Sequence, residues 1–197
     1  MEEKLMTQIF YKWTSQMKHA CLCENEKTIC FCNETYHAHV IFHVQLSTIE
    51  LVIQNKQTEE TEFYLHFEAK DFKTTKENLQ AFFSYLDGQH PHAESITVKD
   101  KQIRRILISC TSGFTSAYFA NLMQAMFNTK KQAITVDALP ITELESQIDH
   151  YDYVLLAPQI AYLYPQLTQK YGKKILRITA MDFATGDVKH ALSQLPS

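Results

Sequence analysis

Glycine is scarce in this chain: only four in 197 residues, at positions 88, 113, 172 and 186. Each one therefore marks a turn or a close approach of backbone rather than general looseness. No run approaches the roughly 18 uninterrupted apolar residues of a membrane span. The opening stretch MEEKLMTQIFYKW lacks the basic start and apolar core of a secretory signal, so a cytoplasmic protein is expected. Charge of either sign is not in large excess. A net charge of -3 and a pI near 6.3 argue against a general affinity for nucleic acid or an anionic membrane. Walker-type and dinucleotide glycine loops are missing, as are a hydrolase triad and a paired-carboxylate site, so ATP or NAD use is unsupported and no cofactor is expected. Internal repeats and low-complexity tracts are absent. Cysteine is present in an odd number, five, and in a reducing compartment these read as thiols rather than as a disulfide framework.

What is present is an ordinary globular composition, 45% hydrophobic and 21% charged, enough to build a core without staples. The polar segment LDGQHPHAES, with Gly88 and Pro91, breaks the chain in two. The expected division is a small α+β domain at 1–88, a linker at 89–101 and an α/β domain at 102–197.

In the first part, Leu5, Ile9, Trp13 and Met17 recur every four residues and predict one face of a helix over 2–19. Residues 28–32, 37–46, 48–54 and 62–68 are rich in Ile, Val, Phe, Tyr and Thr, and predict an antiparallel sheet. Thr74 or Thr75 is expected to cap a helix through 86, supported by Glu77. Trp13, Phe82, Phe83 and Tyr85 are expected to pack a core or an interdomain surface.

Cys21, Cys23, Cys30 and Cys32 form C-x-C-x6-C-x-C, and a turn at 25–27 would put all four on one face of a hairpin. Four thiolates can hold zinc, but the familiar spacing is C-x2-C; packed thiols are the expectation and these four the candidate metal ligands. His37, His39 and His43 share a strand face because they stand two and four residues apart, which reads as satisfied or exposed histidines rather than a pH-sensitive surface.

The second part alternates. Strands are expected at 103–109, 133–138, 153–157 and 174–178. Helices are expected at 116–128, 140–147, 159–170 and 185–194, with Pro140 in the first turn of the second. Such alternation implies a four-stranded parallel sheet with right-handed crossovers, flanked by helices.

Ligands of open α/β sheets bind at the carboxyl ends of strands. Cys110 stands there, after the first strand, and Thr111, Ser112, Gly113, Phe114, Thr115 and Ser116 lead into a helix. A helix N-terminus offers unpaired N–H groups and favours an anion. Gly113 lets the backbone approach closely, and the hydroxyls add donors. A cysteine ending a buried strand is often only a small hydrophobe. The full pattern of strand, Cys, two hydroxyls, Gly and two further hydroxyls before a helix points instead to a nucleophile that attacks phosphorus. A phosphatase class with a similar loop carries an arginine six positions after its cysteine; here that residue is Ser116. Without a bidentate guanidinium, holding and passing on a phosphoryl group suits the loop better than hydrolysis.

The stretch ILISCTSGFTSAYFANLMQ resembles the phosphorylation loop of the IIB components of the sugar phosphotransferase system, lactose/cellobiose type. The segments ALPITELESQIDHYDYVLLAPQIAYLYPQL and ITAMDFATGDVKHAL are similar to that family's middle and closing parts, so the resemblance covers about 101–195. It implies a phosphotyrosine-phosphatase-like fold. It also implies that Cys110 accepts phosphate from a phosphohistidine on a IIA protein and passes it to a sugar held by a membrane IIC component. Residues 111–116 would wrap the phosphate, with Pro158 and Gln159 beside them. Phe114 stands where Met is common and Ala117 where a further Ser is common. The first hundred residues have no counterpart in this pattern, which raises the alternative of a regulatory protein that uses the same domain as a phosphorylation sensor. In either case the protein would be cytoplasmic, drawn to the membrane only through IIC.

Overall fold

Two hydrophobic rhythms produce two different sheets. In RILISC every residue after the first is buried, whereas in YHAHVIFH buried and half-exposed positions alternate. A strand covered on both faces is apolar throughout; a strand covered on one face alternates with period two. The computed structural model describes residues 2–18, 20–22, 27–90, 103–111 and 114–195. The chain divides into two compact units, Met1–His90 and Pro91–Ser197. All but Gln89 and His90 of the expected linker lies outside the described residues.

In the first unit, α1 (Glu2–Ser15) precedes five strands: β1 (Cys21–Leu22), β2 (Thr28–Cys32), β3 (Tyr36–His43), β4 (Thr48–Asn55) and β5 (Thr61–Glu68). They pair in sequence order, antiparallel throughout. The unit ends with α2 (Phe72–Leu86). One sheet face carries Phe31, Ala38, Val40, Phe42, Leu51, Ile53, Phe63 and Leu65, all buried. Phe82 of α2 meets Phe31 and Phe63 at 6.4 and 5.8 Å between ring centroids, so α2 covers this face. Tyr11 of α1 meets Phe42 edge-on at 5.4 Å. The opposite face holds His37, His39, Ile41 and His43 of β3, none of them buried.

The expected helix forms as α1, but the face that recurs every four residues is not its buried one: Leu5, Ile9 and Trp13 are exposed, while Thr7, Phe10 and Thr14 are buried. Threonine can serve on a buried helix face because its methyl packs while its hydroxyl bonds back to the helix, as Thr7 does to the Glu3 carbonyl at 3.0 Å. A count of apolar letters passes over that face. The cap of α2 is Asp71, whose Oδ1 accepts from the Thr74 amide at 2.8 Å, rather than Thr74 or Thr75, which are both inside the helix. Asp in extended backbone is the stronger cap.

The second unit contains β6 (Arg105–Cys110), α3 (Phe114–Thr129), β7 (Thr135–Pro140), α4 (Leu144–Gln147), β8 (Tyr153–Leu156), α5 (Tyr164–Tyr171), β9 (Ile175–Arg177), α6 (Ala180–Thr185) and α7 (Val188–Leu192). The sheet is parallel, in the order β7-β6-β8-β9. Asp152 Oδ2 accepts from the amides of Arg104 and Arg105 at 2.7 and 2.8 Å and so fixes the entry to β6. Leu107, Val154, Leu156 and Ile175 form a core with Leu144, Ile148, Ile160 and Leu167.

Boundaries differ from expectation at three places. Pro140 ends β7 and leads a 3-10 turn, Ile141–Glu143, before α4. Pro158–Leu163 is also a 3-10 turn, so the α-helix starts only at Tyr164. The last expected helix, 185–194, is the shorter α7, and an unexpected helix, α6, precedes it and is ended by Gly186 at a left-handed φ of 73°. Asp187 then caps α7 by accepting from the His190 amide at 3.0 Å.

Candidate phosphoryl-transfer site

The sheet order makes β6 the strand at which the chain switches sides: β7 lies on one side of it and β8 on the other. The crevice of such a sheet opens outside the carboxyl ends at this switch. Cys110 is the last residue of β6, paired in register with Pro140 at the end of β7. On the other side the Ala157 amide donates to the Ser109 carbonyl at 2.9 Å, which draws the start of the 158–163 turn alongside the cysteine's strand.

α3 begins at Phe114, four residues after Cys110. Ser116 is in its first turn, and Ser116 Oγ lies 3.0 Å from Cys110 Sγ. That distance aims the N-terminus of α3, with its unpaired amides and positive dipole end, at the sulfur. Cys110 is 1% exposed and Ser116 is fully buried. The hydroxyl therefore meets the sulfur away from water, where a hydrogen bond is stronger than in solvent.

Gln159 is 5% exposed, and both polar atoms of its side chain lack a hydrogen-bond partner. A buried amide without partners costs about 1–3 kcal/mol, so such a group signals a polar ligand. Ser109 Oγ, next to the cysteine in sequence, is buried and unpartnered as well. Thr111 is half-buried directly after Cys110. Ser112 and Gly113 lie outside the described residues, as do the side chains of Phe114 and Thr115, although their backbone opens α3.

Near α3, Phe183 of α6 stacks on Phe119 at 5.2 Å. Asp182, 1% exposed, accepts from His190 Nδ1 at 2.7 Å, and burial pushes its carboxyl above the usual aspartate range against the Thr179 and His190 hydrogen bonds. Neither residue stood out in the sequence; D-x7-H across a helix break has no recognisable spacing.

Of the candidate metal ligands, Cys23 and the side chain of Cys21 lie outside the described residues. Cys32 is a free, exposed thiol. Cys30 is disulfide-bonded, which corrects the expectation of thiols throughout. A strand register that places Cys21 opposite Cys30 makes such bonding local. Cysteine and histidine meet in pairs that sequence reasoning missed: Cys30 Sγ with His39 Nδ1 at 3.4 Å, and Cys32 Sγ with His37 Nδ1 at 3.1 Å. The signal was available, since C-x-C and H-x-H flank a short polar turn symmetrically at 30, 32, 37 and 39.

No helix among the described residues is long and apolar enough to cross a membrane. Residues 105–194 match the family model described as PTS system, Lactose/Cellobiose specific IIB subunit. Among solved structures, the chain is similar to the lactose-specific IIB component domain from Streptococcus pneumoniae, at 21% identity over 47% of this chain and 93% of that one, with a TM-score of 0.41. It is also similar to the cellobiose-specific IIB component protein from Borrelia burgdorferi, at 25% identity over 46% and 86%, with a TM-score of 0.40. The match to the lactose/cellobiose-type IIB family thus falls within the second unit of the chain and spans residues 105–194.

Proposed function

We propose that Cys110 is the phosphoryl-carrying residue: it accepts phosphate from a phosphohistidine on a IIA protein and passes it to a sugar during uptake. The observation that carries this reading is the position of Cys110 Sγ, at the carboxyl end of the switch strand and 3.0 Å from the first-turn hydroxyl of α3. In the first step the thiolate attacks phosphorus, an S–P bond forms, the N–P bond breaks, and the imidazole leaves. In the second, a sugar hydroxyl attacks, an O–P bond forms, the S–P bond breaks, the thiolate returns, and the hydroxyl proton goes to a base. Both are in-line displacements, so positioning and stabilisation of the equatorial oxygens supply the rate. Residues 111–116 would ring those oxygens, and Gln159 Nε2 would donate to one of them.

Because Cys110 is buried, transfer requires the sulfur to be uncovered when the donor docks. Tyr118, one turn into α3 and 67% exposed, supplies apolar area on which the donor can seat. The first unit supports a second reading. It is a compact unit outside the family match, as a regulator that senses the phosphorylation state of Cys110 would need.

Phosphorus NMR of the protein after phosphotransfer tests the chemistry, since phosphocysteine and phosphohistidine differ in shift. A phosphocysteine signal is expected; a phosphohistidine signal alone would place the phosphate on another residue. Adding membranes that hold a IIC permease, with its sugar, then separates the readings: loss of the signal with appearance of sugar phosphate marks the carrier, and persistence marks the sensor.

A further inference from the structure

The first unit holds a cavity that plays no part in the proposed phosphoryl transfer. Its volume is about 410 Å³, and it lies where the turn after α1, the end of β2 and the last turn of α2 come together. Sites for small molecules span about 300–1,000 Å³ and combine apolar walls with a few polar groups. Met17, Phe31, Phe83 and Leu86 are the apolar lining. These walls are held in place. Phe83 meets Phe31 and Trp13 edge-on, at 5.1 and 6.3 Å between ring centroids. Asn33 Nδ2 donates to the Leu86 carbonyl at 3.1 Å, and Asn33 Oδ1 accepts from the amides of Thr35 and Tyr36 at 2.9 and 2.7 Å. Asn33 thus ties the β2–β3 turn to the end of α2, and the cavity is formed before any ligand enters.

Two charges of opposite sign, Lys18 and Asp87, line the same cavity. Both residues are exposed, and no ion pair joins them to each other or to another described residue. We propose that this cavity binds a free amino acid with an apolar side chain. The Lys18 ammonium takes its carboxylate, the Asp87 carboxylate takes its ammonium, and its side chain lies against Met17, Phe31, Phe83 and Leu86. Asp87 directly follows α2, whose last turn carries the negative end of the helix dipole and adds to the attraction for an ammonium group. Other ligand classes match only part of the lining. An aliphatic acid satisfies Lys18 and sets nothing against Asp87. A phosphate ester is repelled by Asp87, and an internal peptide segment has neither terminal charge. Burial of the apolar side chain supplies affinity, and the two charge contacts supply selection.

The test is isothermal calorimetry on the full chain, titrated separately with L-leucine, L-methionine and L-phenylalanine. Binding of one ligand per chain is expected for at least one of them, and none for glycine, which has the charges without the apolar part. For the tightest ligand, the amine that lacks its carboxylate and the acid that lacks its ammonium should each bind about tenfold more weakly or worse. Lys18→Gln and Asp87→Asn should each weaken binding by about the same factor. Both positions are exposed, so the fold should persist, and circular dichroism checks it. Lys73→Gln, exposed in the first turn of α2, should leave binding unchanged. No binding of any of the three amino acids would overturn the proposal. So would equal affinity for the amine or the acid, or binding unaltered by Lys18→Gln or by Asp87→Asn.

Discussion

Cys110 Sγ and Ser116 Oγ lie 3.0 Å apart, joining the end of β6 to the first turn of α3. Six positions separate them, the interval at which a phosphatase loop has its arginine. A hydroxyl there donates a single hydrogen bond and carries no charge. On the proposed chemistry this lets the loop hold a phosphoryl group without driving its hydrolysis. Ser116→Ala should slow phosphorylation of Cys110 about tenfold to a hundredfold, the equivalent of one hydrogen bond to a charged group at about 1.5–3 kcal/mol. Initial rates with a fixed IIA donor measure it; an unchanged rate would remove Ser116 from the site.

Donor docking can be separated from chemistry at Tyr118. This side chain is exposed beside the site and makes no stacked ring contact among the described residues. Tyr118→Ala should raise KM for the IIA protein several-fold with little change in kcat. A fall in kcat at constant KM would instead make Tyr118 part of the phosphoryl-binding machinery.

Among the described residues, Cys32 and Cys110 should differ sharply in reactivity. Cys32 is exposed and Cys110 buried. Limited alkylation of the native protein, followed by peptide mapping, should label Cys32 first and Cys110 only slowly. Faster labelling of Cys110 would show that its sulfur is open in the resting protein.

Two carboxyls give opposite dependences of stability on pH. Asp182 is raised above its ordinary value by burial, so its contribution is fully present below the unfolded value near 3.8 and is lost as pH rises through the folded value. Glu62 is penalised by burial too, but hydrogen bonds from Tyr85, Asn55 and Tyr36 outweigh this and lower it, so its contribution is present above the unfolded value near 4.5 and lost as pH falls. Melting temperatures across pH 4–7 should show Asp182→Asn gaining on wild type as pH rises. Tyr85→Phe, which deletes the 2.8 Å bond to Glu62, should lose most against wild type at the neutral end. Parallel curves in either case would contradict the assigned cause.

The cap of α2 gives a simpler check. Asp71→Ala should destabilise by about 1 kcal/mol, and Asp71→Asn by much less, since asparagine caps nearly as well. Equal losses in denaturant titrations would show that Asp71 acts by charge rather than as a cap.

The second unit was legible because its strands announce themselves. ILI in β6 and YVLLA around β8 are apolar without alternation, as in a sheet covered on both faces. The phosphate loop was legible because Cys, hydroxyls and Gly stand at fixed intervals within a continuous segment. What could not be read depends on register or on competition between caps. Nothing local says that Thr7 and Thr14, rather than Leu5 and Ile9, are buried, or that a helix at 180–185 ends at Gly186 before the last one begins. The pairing of Cys32 with His37 needs the β2–β3 register, and the partnerless amide of Gln159 needs the packed turn around it.

The central claim is that Cys110 carries phosphate. Intact masses of wild type and Cys110→Ser, after incubation with phosphoenolpyruvate, the general phosphotransfer proteins and a panel of IIA proteins, test it most directly. A single phosphoryl adduct on wild type that is absent from the variant is the expected result. No adduct with any donor, or the same adduct on both proteins, would contradict it.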